Sequence, residues 1–381
     1  MKILQIVKTS RGATWAFNQA KKLNEMGIEI VTIMPDLDYG YALKYRESGM
    51  KVIKGDWSLP ITRPLCFLNR SKEIRRVVEQ ENPDLIHMHF VTNVLMVRLA
   101  LRKSKVKRLF QVPGPLHTEN KFIGWVERKL ATDVDFWAGA CKKTCQYYLA
   151  NGISQGKVFL AYYGIPQDKM VRQKSERNFR KEFNISDNAI IVAMISYFYK
   201  PKKWIGQKRG IKGHEDFIDA LKIVLEKKDN IVPVIIGNAW DGSEKYESKI
   251  KQYAKDSLGD KVIFTGYRND VYDIYHEINI AVHPSHSENL GGAAESLMLG
   301  VPTIATKVGG FPDIVKDKTT GRLVKSKDPE DLSDIICWML DNYEEAVSMA
   351  YDGQVLVEQL LNLNSTASVV KSIYKTILES K

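Results

Sequence analysis

The sequence predicts an α/β protein made of two doubly wound domains, and three observations carry that expectation. Short β-branched runs alternate with stretches of helical period along almost the whole chain, as βαβ units around parallel sheets do. The alternation lapses once, around residues 166–178, into the charged, proline-opened segment IPQDKMVRQKSER. A length of 381 residues also exceeds what one core supports, since cores stop growing near roughly 250–300 residues.

The first half offers KILQIV, EIVTIM, KVIKG, LIHMH, RLFQV, FWAGA and VFLAYYG as strands. Between the first two, Trp15, Phe17, Ala20 and Leu23 recur at helical spacing, and Gly27 sits where a C-cap glycine is expected. After the lapse come AIIVAMIS, VPVIIG, VIFTG, IAVHPS, TIAT and GRLV, separated by helical runs such as HEDFIDALKIVLEKK. The last thirty residues read as one or two amphipathic helices, with Ser365 or Thr366 as N-cap near their junction. The expected division is 1–167, 168–350, and C-terminal helices over 351–381 that pack back on the first domain.

Composition narrows the class. The chain is 44% hydrophobic and 27% charged, without low-complexity tracts, which excludes a disordered protein. MKILQIV reads as a first strand, not a leader, and no run approaches the roughly 18 apolar residues of a spanning helix. Four cysteines, with Cys141 and Cys145 lacking a second pair at metal-ligand spacing, fit reduced thiols and a cytoplasmic location. Residues 1–170 hold 27 Lys/Arg against 15 Asp/Glu, whereas residues 171–381 hold 29 against 30. The net charge of +11 therefore lies in the first half and points either to an anionic partner there, such as a membrane surface, or to a merely solvated basic face.

The segment HPSHSENLGGAAESLMLGVPTIATKVGGFPDIV (residues 283–315) concentrates the chemistry. A strand ends, a loop carries Glu288, and a helix carries Glu295, so both carboxylates stand beyond a strand's carboxyl end, where open α/β sheets bind ligands. Asn289, Leu290, Gly291 and Gly292 form the helix entrance, whose amides and partial positive charge suit a diphosphate. A second cluster, SYFYKPKKWIGQKRGIKGHEDFIDAL, puts six Lys/Arg within residues 200–212, among them Lys202, Arg209 and Lys212. Cations there compensate the charge of a leaving diphosphate.

These motifs resemble those of the retaining glycosyltransferases of family 4 (glycosyl transferases group 1). The resemblance implies the GT-B fold, two Rossmann-like doubly wound domains facing across a cleft. It also implies metal-independent transfer of a sugar from a UDP- or GDP-sugar, with no cofactor, to a glycan or lipid-linked hydroxyl acceptor in polysaccharide, lipopolysaccharide or glycolipid synthesis. By the resemblance, Glu288 meets the transferred sugar, Glu295 binds the ribose hydroxyls, Lys212 holds donor phosphate, and Val308, Gly309 and Gly310 form a turn near the donor. The family separates its two glutamates by seven residues, and here six intervene. The family's strand-end arginine, which follows a glycine, is replaced by Ile195, Ser196 and Tyr197, leaving Lys202 or Arg209 as substitutes. In the first domain the resemblance assigns Gly12, in QIVKTSRGATWAF, to donor phosphate and acceptor, and His117, in a loop after the fifth strand, to the transferred sugar.

Other features receive simpler readings. His87 and His89 alternate on a strand and face opposite sides, and lack a third ligand for zinc. Asp36-Leu37-Asp38 and Asp133-Val134-Asp135 could mark a divalent-metal site but read more simply as polar strand flanks. RLALRKSKVKRLF (98–110) mixes apolar and basic residues and offers a surface for shallow membrane contact, but its RLFQV part is also an expected strand, so part of the stretch belongs to the core. Nucleic acid is not expected, because no binding module is present and the aromatics do not interleave with the basic residues. Two rival readings stay open: a GT-B nucleotide-sugar 2-epimerase, and a non-catalytic sugar-nucleotide binder or membrane-associated protein.

Overall fold

The structure, a computed structural model, describes residues 1–166, 178–202 and 206–380; the expected linker around 166–178 lies almost wholly outside the described residues. The chain divides into two compact units, Met1–Lys169 with Leu360–Lys381, and Met170–Gln359.

The first unit holds seven strands: β1 (Lys2–Ile6), β2 (Glu29–Met34), β3 (Lys51–Lys54), β4 (Leu85–Met88), β5 (Lys107–Val112), β6 (Asp135–Gly139) and β7 (Val158–Leu160). They pair in parallel in the order β3-β2-β1-β4-β5-β6-β7. The second unit holds β8 (Ile190–Ile195), β9 (Ile231–Ile236), β10 (Ile263–Gly266), β11 (Ile280–His283), β12 (Thr303–Thr306) and β13 (Arg322–Val324), in the parallel order β10-β9-β8-β11-β12-β13. These are the thirteen runs singled out by β-branched composition. Because helices cover both faces, the strands read as continuous apolar runs, not alternating ones. Each sheet reverses its winding once, between β1 and β4 in one and between β8 and β11 in the other, and at such points the connections part to leave a ligand crevice.

The helix Thr14–Glu25 follows β1 as expected, with Gly27 at φ +81° turning the chain into β2. At the far end, the helix Tyr343–Leu360 stays with the second unit, where Gly353 has no room for a side chain beside Leu297 and Thr320. The helix Leu363–Glu379 packs instead on Thr14–Glu25, buries Ala367, Val370, Ile373, Tyr374 and Ile377, and bonds Tyr374 Oη to His87 Nδ1 at 2.6 Å. Its N-cap is Asn362, whose side-chain oxygen accepts from the amides of Asn364 and Ser365, so neither Ser365 nor Thr366 is the cap.

Two expectations are corrected in the first unit. In RLALRKSKVKRLF, Arg98 and Arg108 point inward with fully buried side chains: Arg98 pairs with Glu127 (2.6 Å) and Asp135 (2.9 Å), and Arg108 with Asp135 (2.8 Å). Leu101 and Leu109 are buried as well, so the segment is largely core, with Arg102, Lys103 and Lys105 exposed. Asp135 is thereby the shared anion of an internal network and no metal ligand, and the described residues hold no metal-binding group of three or more acidic, His or Cys side chains. His87 and His89 do not face apart. β4 ends at Met88, the alternation ends with it, and the two buried rings lie 4.3 Å apart.

Asp135→Ala would leave the two buried guanidinium groups short of charge, which costs about 3–5 kcal/mol. Urea unfolding should show that loss in the transition of the first unit; a loss under about 1 kcal/mol would mean the network is not needed for stability.

Candidate donor site in the second unit

Two connections emerge at the reversal between β8 and β11. The one after β8 runs through residues 196–213 into the helix His214–Lys227, and the one after β11 runs through Pro284–Leu290 into the helix Gly291–Met298. They are locked together by backbone. The His286 amide donates to Ile211 O at 2.7 Å, and a Cβ on Gly213 would lie 2.1 Å from the Pro284 carbonyl oxygen. Gly213 also has φ +78°, so glycine is demanded twice, by space and by conformation. Just before it, Lys212 lays its ammonium against the Glu288 carboxylate across the seam.

Glu288 is arranged from several sides. Its Oε1 accepts from the Asn289 amide at 3.1 Å, and its side chain folds over Gly291, where a Cβ would come within 2.8 Å of the carboxyl carbon. Gly291 stands at φ +44° and Leu290 is buried at the helix start. Behind the loop, the Gly310 amide reaches Glu288 O (3.3 Å) and Asn289 O (3.2 Å), while Gly309 takes φ +52° to make the Val-Gly-Gly turn. Glu295 lies inside the helix that follows the Glu288 loop and, with Glu288 and Tyr199, contributes negative potential at Lys212.

Beneath the helix entrance, His283 is buried against Gly292 and bonds Ser296 Oγ through Nε2 at 3.0 Å, and Ser296 continues to Thr303 at 2.8 Å. Burial, then the nearby Lys212 charge, pushes the His283 imidazole down to about 3, and the same two causes push His214 down to about 3. Both rings are neutral at physiological pH. Burial likewise pulls on the Lys212 ammonium, but the charge and hydrogen bond of Glu288, with Tyr199 and Glu295, outweigh it and hold the group above its ordinary value. Lys212 is therefore a full cation.

Arg209 and Lys202 take different places from those expected. Arg209 pairs with Asp216 (2.5 Å) and Asp219 (2.6 Å), and His286 bonds the same Asp216, so that guanidinium braces the start of the helix His214–Lys227. Lys202 is exposed, its amide donating to Gln207 Oε1 at 2.9 Å, and Lys203–Ile205 lie outside the described residues. The strand-end position of the missing arginine opens instead on Tyr197, Tyr199 and Trp240, with Trp240 5.1 Å from Tyr197 and 5.9 Å from Tyr199 between ring centroids. Composition alone did not single these out, although three aromatics at strand ends were visible in the sequence.

In the first unit, Gly12 lies between β1 and the helix Thr14–Glu25, beside Ala13 at φ +65°. His117 is not in a loop. It is buried in the short helix Leu116–Glu119, with Nε2 at 3.1 Å from Tyr148 Oη and its ring on Phe110. Burial pushes it down to about 4, partly offset by Glu127.

A cation and two carboxylates at the winding reversal of a doubly wound unit can meet anionic and hydroxyl groups. Comparison with known proteins makes the class specific. The family model described as glycosyl transferases group 1 matches residues 204–355, and that of glycosyltransferase family 4 matches residues 12–171. The chain is 22% identical over 225 residues to the lipopolysaccharide core biosynthesis mannosyltransferase LpsB of Rhizobium meliloti, covering 57% of this chain and 63% of that protein. It is 22% identical over 368 residues to the N-acetyl-alpha-D-glucosaminyl L-malate synthase of Bacillus anthracis, covering 94% of this chain and 92% of that one. The crystal structure of Anabaena HepE in complex with UDP-glucose superposes with a TM-score of 0.79 at 17% identity, over 98% of this chain and all of that one. The chain belongs to the group 1, family 4 glycosyltransferases and has their GT-B fold.

Two outcomes follow from this geometry. Gly213→Ala forces the two loops apart, so the variant should lose Lys212–Glu288 contact and most ligand affinity, with a destabilisation of about 1–3 kcal/mol in a denaturant titration; wild-type affinity would show that the seam tolerates separation. The histidine shifts also set a pH dependence. The unfolded chain binds a proton at His283 near pH 6.5 while the folded chain refuses it until about 3, so stability is full above 6.5 and falls as pH drops. Between pH 6.5 and 5 this amounts to about 2 kcal/mol per such histidine. His283→Gln should reduce the loss of stability over that interval by about that amount; an unchanged pH slope would refute the assignment.

Proposed function

We propose that this chain transfers a hexose from a UDP- or GDP-sugar to a hydroxyl group, with retention of configuration, and without a metal ion or cofactor. The observation that carries the reading is the Lys212–Glu288 pair at the winding reversal of the second sheet, beside the glycine-opened helix that bears Glu295. Lys212 compensates the two phosphates, the amides at Gly291 and Gly292 add donors, and Glu288 exchanges its hold on the lysine for hydroxyls of the transferred sugar. Glu295 accepts from the ribose hydroxyls. Lys202 and Arg209 are weaker candidates for the phosphates, Arg209 because two carboxylates already neutralise it.

In the reaction, the bond from the anomeric carbon to the phosphate oxygen breaks as the acceptor oxygen bonds the same face of that carbon, through an oxocarbenium-like state. The acceptor proton passes to the departing phosphate, so no side chain need act as nucleophile or base. Uncompensated charge on the diphosphate is then the main barrier, and Lys212 is the residue placed to lower it. We assign Gly12 to the phosphate and acceptor, and His117 to the sugar, as neutral hydrogen-bonding contacts only.

The relatives support a role in assembling surface glycans or glycolipids, since one is named for lipopolysaccharide core synthesis; the acceptor is accordingly a glycan or lipid-linked sugar. No helix among the described residues is long and apolar enough to cross a membrane, and we place the protein in the cytoplasm, at most peripheral to the membrane.

The test is transfer from a panel of nucleotide sugars, with product anomer read by nuclear magnetic resonance. Activity should survive EDTA. Lys212→Met should lower kcat about 10²–10³-fold, and Glu295→Ala should raise the donor KM about 10- to 100-fold, the worth of hydrogen bonds to a charged group. Epimerised donor in the absence of acceptor, or full activity in both variants, would defeat the reading.

A further inference from the structure

We propose that Asp216 is a positioning residue of the donor site: each of its carboxylate oxygens holds one of the two loops, and the carboxylate thereby fixes where Lys212 and Glu288 meet a donor. The proposal deepens the reading of those two residues as donor contacts and rests on it.

Asp216 stands in the first turn of the helix His214–Lys227 and is only 3% exposed. Its Oδ1 accepts from Arg209 at 2.5 Å, and its Oδ2 accepts from His286 Nε2 at 2.5 Å. Arg209 lies three residues before Lys212, and His286 lies two before Glu288. Each loop is therefore tied to the same carboxylate close to the side chain that it presents. Loops without such a tie let their side chains wander, and a displacement of about 1 Å can cost a hundredfold in rate.

The neighbouring contacts leave Asp216 as the joint. Asp219 also accepts from Arg209 at 2.6 Å, and Glu215 accepts from the Gly210 amide at 3.2 Å and from Tyr246 Oη at 2.8 Å. Those two acids lie on the same helix and hold the loop after β8, whereas Asp216 reaches the loop after β11 as well. Burial pushes the Asp216 carboxyl up, but His286 and Arg209 outweigh it through hydrogen bonds and charge and hold the group below its ordinary value, so it is a carboxylate. That charge gives the role a diagnostic sign. A carboxylate near a diphosphate repels it through space, so loss of the charge alone would tighten binding, whereas loss of the anchor loosens it.

The full chain is titrated by calorimetry with UDP and, in parallel, with GDP, and melting curves report folding. Asp216→Asn keeps the size of the side chain and removes its charge; it should weaken nucleotide binding about tenfold or more. His286→Gln cuts one limb while Arg209 stays paired, and it should weaken binding in the same direction. In a Lys212→Met background, Asp216→Asn should add less than about twofold, because the anchor acts through the lysine, whereas a general loosening of the fold would add its full effect. Loss of a buried ion pair can also prevent folding. If Asp216→Asn does not fold, His286→Gln decides: wild-type affinity there overturns the proposal. Equal or tighter binding in Asp216→Asn, or a full additional loss in the double variant, also overturns it and leaves the donor reading standing. Wild-type affinity in Lys212→Met, or a wild type that binds neither nucleotide, defeats the donor reading and the anchor with it.

Discussion

The second unit depends on the closeness with which two loops meet where its sheet reverses winding. Gly213 lies under the Pro284 carbonyl, the His286 amide is fixed to Ile211, and only then can Lys212 reach Glu288. A side chain at position 213, or a shift of one residue in either loop, would separate cation from carboxylate. The geometry also answers the shortened glutamate spacing. Glu288 stands three residues ahead of the helix and is carried to Lys212 by a loop whose carbonyls are held by Gly310, while Glu295 lies inside the helix. The spacing between the two is set by where the helix begins, which Gly291 at positive φ determines.

The electrostatics are equally local. A lysine beside two neutral, desolvated histidines and within reach of two carboxylates keeps its charge because the carboxylates outweigh burial. Neutral His214 and His283 serve here as shape and hydrogen-bonding groups and add no second positive charge. In the proposed function an arriving phosphate competes with Glu288 for the same ammonium, and ligand binding would release the glutamate.

Most of the architecture could be read from the sequence because buried parallel strands leave an unmistakable mark: a short apolar, β-branched run bounded by turns, as in EIVTIM and AIIVAMIS. The site's loops were legible for a related reason, since strand, glycine and helix in succession fix where a loop emerges. What the sequence hid was side-chain pairing between distant segments. Arg98 and Arg108 looked like a surface charge run until Glu127 and Asp135 met them inside, and Arg209 looked available until Asp216 and Asp219 took it. His89 seemed to oppose His87 because strand alternation was extended one residue past its end, and His117 looked like a loop residue because a four-residue helix has no readable period. The exposure of Leu65 and Trp125 was unreadable for the complementary reason: only a packed structure reveals which apolar residues are left out.

The central claim is that Lys212 leaves Glu288 for a diphosphate at the β8–β11 reversal. A crystal structure with a bound UDP- or GDP-sugar tests it directly. The account predicts phosphate oxygens between Lys212 and the amides of Gly291 and Gly292, Glu288 on the sugar and Glu295 on the ribose. A donor bound elsewhere, with the Lys212–Glu288 pair intact, would contradict it.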